Sequence, residues 1–116
     1  MVAAALIRKP EVTHLTIVEI SPEVLALIGP ALKALPEGGK VALVEADIRT
    51  WQPPQGERWD HAWYDIWDDI SCENLPEMRL LHRRFGRRTG TQASWSRELC
   101  EYRARRDKAE AHRWRW

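Results

Sequence analysis

Three carboxylates, Glu19, Asp47 and Asp65, share one placement: each closes a short run of strand-forming residues and opens a loop. A carboxylate at the carboxyl end of a parallel strand stands beside a βα turn, the edge of an open α/β sheet where ligands bind. There it can accept both hydroxyl protons of a ribose, which a neutral or basic side chain cannot do. For Glu19 alone, a solvated loop glutamate explains the residue equally well. Three acids in succession, each behind an apolar run, are harder to obtain by accident, and in one parallel sheet all three line one crevice.

The elements that must carry these acids can be read from the flanking residues. Residues 15–20 (LTIVEI) form a near-continuous apolar run, which suits a strand covered on both faces. Ser21 can cap the next helix, and Pro22 suits its first turn, where a missing N–H is no loss. Val24, Leu25, Leu27, Ile28, Leu32 and Leu35 give a helix over 22–35 its apolar face, with a kink or break expected at Gly29-Pro30. After a Gly-Gly loop, residues 41–46 form a second strand that ends at Asp47. A turn-rich connection with Pro53, Pro54 and Gly56 leads to a third strand over 59–65. Strand, helix, strand, connection, strand is the order of a parallel sheet.

The ends of the chain read as helical. Residues 1–7 are helix-prone, and Arg8-Lys9-Pro10 is a fitting stop. Leu75-Pro76-Glu77 starts a helix with Met78, Leu81 and Phe85 on one face and Gly86 just past its end. Residues 87–92 read as a polar loop. Ser94 is expected to cap a last helix whose face is Trp95, Leu99 and Tyr102, with fraying after Arg103. The fold expected is α/β: three parallel strands flanked by helices, then a basic, mostly helical tail.

Length and composition narrow the function classes. At 116 residues the chain is one domain or part of one. No apolar run reaches the roughly 18 residues of a membrane span, residues 1–7 lack the features of a secretory signal, and a cytoplasmic location is expected. Cys72 and Cys100 have no paired spacing, so neither a disulfide framework nor a metal site is expected. The net charge of +1 hides an asymmetry: residues 1–71 hold 6 Lys/Arg against 11 Asp/Glu, and residues 72–116 hold 12 against 6.

Other candidates have plainer readings. Tyr64 beside Asp65 could accept a proton near a nucleophilic amine, but packing and capping roles are preferred. His61 alternates with Trp59 and Trp63 on one strand face and is expected to be packed. Asp68-Asp69 could hold a divalent cation, but the pair lacks a spaced third ligand. Trp51 and Trp67 could flank a flat ring or simply pack in their loops. In the basic half, Arg79, Arg83, Arg84, Arg87, Arg88, Arg103, Arg105, Arg106 and Arg113 could track phosphates, with Trp114 and Trp116 available to stack. Helical spacing and interspersed glutamates favour a solvated face, so only weak, non-specific nucleic-acid binding is expected.

The stretches LTIVEISPEV (15–24), VALVEADIRTW (41–51) and WDHAWYDIWDD (59–69) resemble class I S-adenosylmethionine-dependent methyltransferases, in the branch close to spermidine synthases. The resemblance covers residues 1–85 and implies a partial Rossmann-like domain there, with 86–116 as a basic helical tail. It implies that Glu19, with Ile20 beside it, holds the ribose hydroxyls. It places Asp47 at the adenine amino group and Ile48 against the ring. Asp65 then faces the amino-acid end of the cofactor or the substrate, as the candidate catalytic residue. The cofactor implied is S-adenosylmethionine and the partner a small-molecule or still undefined methyl acceptor. The alternatives are an aminopropyltransferase using decarboxylated S-adenosylmethionine, and a non-catalytic remnant or basic interaction module.

The family's first strand and glycine-rich loop should precede the first helix, yet the first glycine here is Gly29. Met1 is therefore expected to be an internal methionine of the helix after that loop, with in-frame upstream sequence encoding an apolar strand and a Gly-x-Gly turn. The chain alone is expected to bind the cofactor weakly or not at all.

Overall fold

The computed structural model describes residues 2–114, so Met1 and Trp116, with the expectations placed on them, lie outside the described residues. In chain order the elements are α1 (Val2–Ile7), β1 (Leu15–Glu19), α2 (Pro22–Lys33), β2 (Val41–Glu45), β3 (Trp59–Tyr64), α3 (Leu75–Phe85), β4 (Thr89–Ser94) and α4 (Arg97–Arg113), with 3-10 turns at Gly38–Lys40 and Cys72–Asn74. The fold is mixed α/β, and among the described residues the strands form two parallel pairs, β1–β2 and β3–β4. The chain divides into two compact units, Met1–Pro53 and Pro54–Trp116, each containing one β-α-β crossover.

In the first unit Leu15 to Glu19 lie opposite Val41 to Glu45 in unbroken register. Ile7, Leu32 and Val41 are buried, with Leu15, Ile17, Ile28, Leu35 and Leu43 packed around them. All five β1 residues are half-buried, as the apolar run on both faces requires. Ser21 caps α2, its Oγ accepting from the Val24 N–H at 3.3 Å, with Pro22 in the first turn. The break expected at Gly29-Pro30 does not occur, and α2 runs on to Lys33. Pro30 deprives one carbonyl of its bond, that of the exposed Ala26, which water can serve. Gly29 is buried against the sheet, where an added Cβ would lie 3.0 Å from the Leu43 side chain. The helix thus gains close approach to β2 from the residue expected to weaken it.

The second unit departs further from the sequence reading. Residues 89–94, expected as polar loop and helix cap, form β4, parallel to β3 with Trp59 opposite Thr89 and Tyr64 opposite Ser94. The strand has no apolar alternation because Gln92 and Ser94 meet their surroundings through hydrogen bonds. Ser94 therefore ends a strand, and Ser96 sits at the α4 N-cap in left-handed backbone (φ 53°) without a side-chain capping bond. The face of α4 that packs is also not the expected one. Leu99 and Tyr102 are more than half exposed, while Cys100 is fully buried against Leu75 and Met78, with Ala104 beside it. Small side chains let α4 come close, and the larger ones are left outside. The helix continues through the stretch expected to fray, to Arg113.

Candidate functional site

The carboxyl edge of β1–β2 collects four of the five residues singled out by the sequence. Glu19 closes β1 opposite Glu45, and the Ala46 N–H donates to the Glu19 carbonyl at 3.1 Å. The half-buried Glu19 carboxylate is held at the start of α2, Oε1 accepting from the Ser21 N–H at 3.1 Å. A helix N-terminus favours a negative charge, so the sequence Glu-Ile-Ser-Pro fixes the acid by the same turn that starts the helix. Ile20 is 61% exposed beside it. Glu23, one turn on, has its carboxyl held below the usual range by its own backbone N–H and by the Ser21 hydroxyl.

Asp47 lies two residues beyond β2 on the same edge. Its Oδ1 accepts from the Arg49 N–H at 2.9 Å, and its carbonyl accepts from Thr50 and Trp51 N–H at 3.0 and 2.8 Å. These bonds form a tight Asx-type turn that fixes the carboxylate direction. The Arg49–Asp47 ion pair at 3.4 Å is solvent-exposed and adds little stability. Ile48, half-buried, follows directly.

Asp65 belongs to the other unit. It follows Tyr64 at the carboxyl end of β3 and is exposed, so it stands at the edge of the β3–β4 sheet and not of β1–β2. Tyr64 is buried, its hydroxyl donating to Gln92 Oε1 at 2.7 Å, and burial pushes its pKa up to about 12. This suits packing and not proton transfer. Trp67 is committed as well, its Nε1 donating to Glu77 Oε1 at 2.9 Å while the ring packs with Leu75, Met78 and Cys100. His61 is exposed, contrary to the packed role expected, with Nδ1 2.7 Å from Thr91 Oγ1. The strand face turned to α3 is the one bearing Ala62 and Tyr64, whose ring lies 5.4 Å from that of His82. Asp68 and Asp69 are exposed, and no group of three metal-ligating side chains occurs among the described residues.

One polar cluster escaped the sequence reading. His82 on α3 places Nε2 2.7 Å from Ser94 Oγ and Nδ1 3.0 Å from Arg97 Nη1, and Arg97 Nε donates to Glu101 at 3.1 Å. The Arg97–Glu101 pair has i,i+4 spacing and was visible in principle, but the contact of His82 with β4 depends on a strand the sequence does not announce. A guanidinium can only donate, so Nδ1 accepts and Nε2 carries the proton toward Ser94. In this tautomer the imidazole cannot take a proton from the serine hydroxyl. The cluster is a structural tie and not a nucleophile with its base.

Burial, and then the Arg97 charge, lowers the His82 pKa below its usual 6.5. As pH falls through about 6.5 the unfolded chain takes up this proton before the folded one does, so stability is lost. Above that pH both states are neutral and the contribution is flat. Urea unfolding at pH 7.5 and 5.5 should show a larger acid loss for the wild type than for His82→Gln, whose amide can accept from Arg97 and donate to Ser94. Equal losses would remove His82 as the cause.

No protein-family model, curated protein or solved structure matches the chain. No helix among the described residues is long and apolar enough to cross a membrane.

Proposed function

We propose that the chain is an S-adenosylmethionine-dependent methyltransferase-like domain. The observation that carries this reading is the placement of Glu19 and Asp47 on one carboxyl edge of a parallel strand pair, each carboxylate fixed by a backbone N–H. Glu19 accepts the two ribose hydroxyl protons in short, charge-assisted bonds. Asp47 accepts from the adenine amino group, and Ile20 and Ile48 supply apolar contact to the nucleoside. The bound cofactor supplies the chemistry, a methyl group on a sulfonium open to displacement by a nucleophile. The reading carries with it a partial Rossmann-like sheet of about three strands, a cytoplasmic location and a small-molecule methyl acceptor.

The test is an NMR titration of the full chain with S-adenosylhomocysteine and with adenosine, carried to millimolar concentration. Both ligands should shift the amides of residues 19–24 and 46–50. Glu19→Ala should weaken either ligand about tenfold or more, the loss of a charged two-point hydrogen bond. Shifts confined to other regions, or an affinity unchanged in Glu19→Ala, would overturn the reading.

A further inference from the structure

Two basic helices lie in the second unit, and they treat their charges differently. Along α4, acids alternate with cations: Arg97 is paired with Glu101, Arg106 lies 3.9 Å from Asp107, and Arg103 donates to the Ile70 carbonyl. The single acid of α3 is Glu77, and it accepts from the Trp67 indole. Arg79, Arg83 and Arg87 are all exposed, and no hydrogen bond or ion pair engages their guanidinium groups among the described residues. They recur every four residues, Arg79 and Arg83 on α3 itself and Arg87 in the turn just beyond it. At 1.5 Å of rise per residue, neighbours on the helix are about 6 Å apart along the axis. The interspersed acids that favoured a solvated face are thus absent from this face.

Burial of Leu75, Met78, Leu81 and Phe85 fixes which side of α3 is turned inward, so the arginines are held outward by the core. Exposed arginines in a row, uncompensated by carboxylates, match a ligand that carries its own row of negative charge. Leu80, 56% exposed, is the one large apolar residue among them. One leucine gives too little apolar area for a helix that lies on a membrane.

We infer that the solvent face of α3, through Arg79, Arg83 and Arg87, docks the phosphate backbone of nucleic acid without reading its sequence. Three phosphate contacts place the affinity in the non-specific class, with Kd about 10⁻⁴ to 10⁻⁶ M at physiological salt. The surface is independent of the Glu19 and Asp47 edge, so failure of either proposal leaves the other standing.

Fluorescence anisotropy of the full chain with a labelled duplex of arbitrary sequence tests it. Three neutralised phosphates predict a slope of log affinity against log salt near −2.7, roughly a 40-fold loss between 50 and 200 mM salt. Each single Arg→Gln change at 79, 83 or 87 should flatten the slope by about 0.9, and the triple variant should lose binding altogether. A second duplex of unrelated sequence should bind equally. The control is Arg105→Gln, Lys108→Gln and Arg113→Gln together, which removes the same charge from α4 and should leave binding within about twofold, the slope being set by contacts and not by net charge. Circular dichroism of each variant separates lost binding from lost folding. No binding at 50 mM salt, an effect as large from the α4 variant, or equal capture by vesicles of anionic lipid would overturn the proposal.

Discussion

Leu32→Ala will destabilise the protein by about 2–5 kcal/mol, whereas Leu27→Ala on the same helix will change stability by no more than about 0.5 kcal/mol. Leu32 is fully buried between Ile7 and Val41, so truncation loses its transfer energy and leaves a cavity that the sheet cannot fill. Leu27 is 78% exposed and loses almost no contact. The two leucines have the same chemistry and the same helix propensity, so the difference reports burial alone. Urea unfolding followed by circular dichroism measures both. Equal costs would mean that α2 packs by a different face.

The paired glycines after α2 should behave as differently from each other as the two leucines. A Cβ on Gly38 would fall against the Lys33 carbonyl oxygen and within 2.8 Å of the Leu32 oxygen. Both are backbone atoms at the end of a helix, and neither can rotate away as a side-chain tip could. Gly38→Ala must therefore push the turn off the helix end, with the loss of the 2.8 Å bond from the Gly38 N–H to Leu35, at a cost of about 1–3 kcal/mol or somewhat more. Gly39 has nothing within 4 Å of the corresponding position. Gly39→Ala should be neutral, or stabilising by up to about 1 kcal/mol through a less flexible unfolded chain. The same unfolding experiment decides it, and comparable losses at both sites would show that the close approach at Gly38 is not what sets the cost.

The parts of the fold that could be read in advance are those stabilised by apolar burial or by local capping. The apolar run at Leu15–Glu19, the cap and proline at the head of α2, the strand at Val41–Glu45 and the burial of Met78, Leu81 and Phe85 all have that character. The acids were legible for the same reason, since a strand that ends is a strand whose last residue can be counted. What escaped was held by non-local polar contacts. Thr89–Ser94 carries no apolar alternation, and its inward groups Gln92 and Ser94 bond to Tyr64 and to His82, residues found only once the strand is in place. The face of α4 was misjudged because periodicity favours large residues. Leu99 and Tyr102 advertise a stripe, while the contact is made by Cys100 and Ala104, whose small size is what allows it.

Pairing strands in parallel has a consequence for when each sheet can form. Leu15 waits for Val41, 26 positions along, and Trp59 for Thr89, 30 positions along. The closure entropies of two such loops differ by only about 0.1 kcal/mol, so neither half holds a kinetic advantage from chain length. On a ribosome adding about 5–20 residues per second, β1 emerges roughly one to five seconds before its partner. Through that interval β1 lacks its strand partner and has only α1 beside it, while α2, capped by Ser21, needs only its own residues to begin. The helices on either side of β1, α1 already made and α2 next to follow, cover its apolar residues until β2 arrives, and the order of synthesis is also an order of protection.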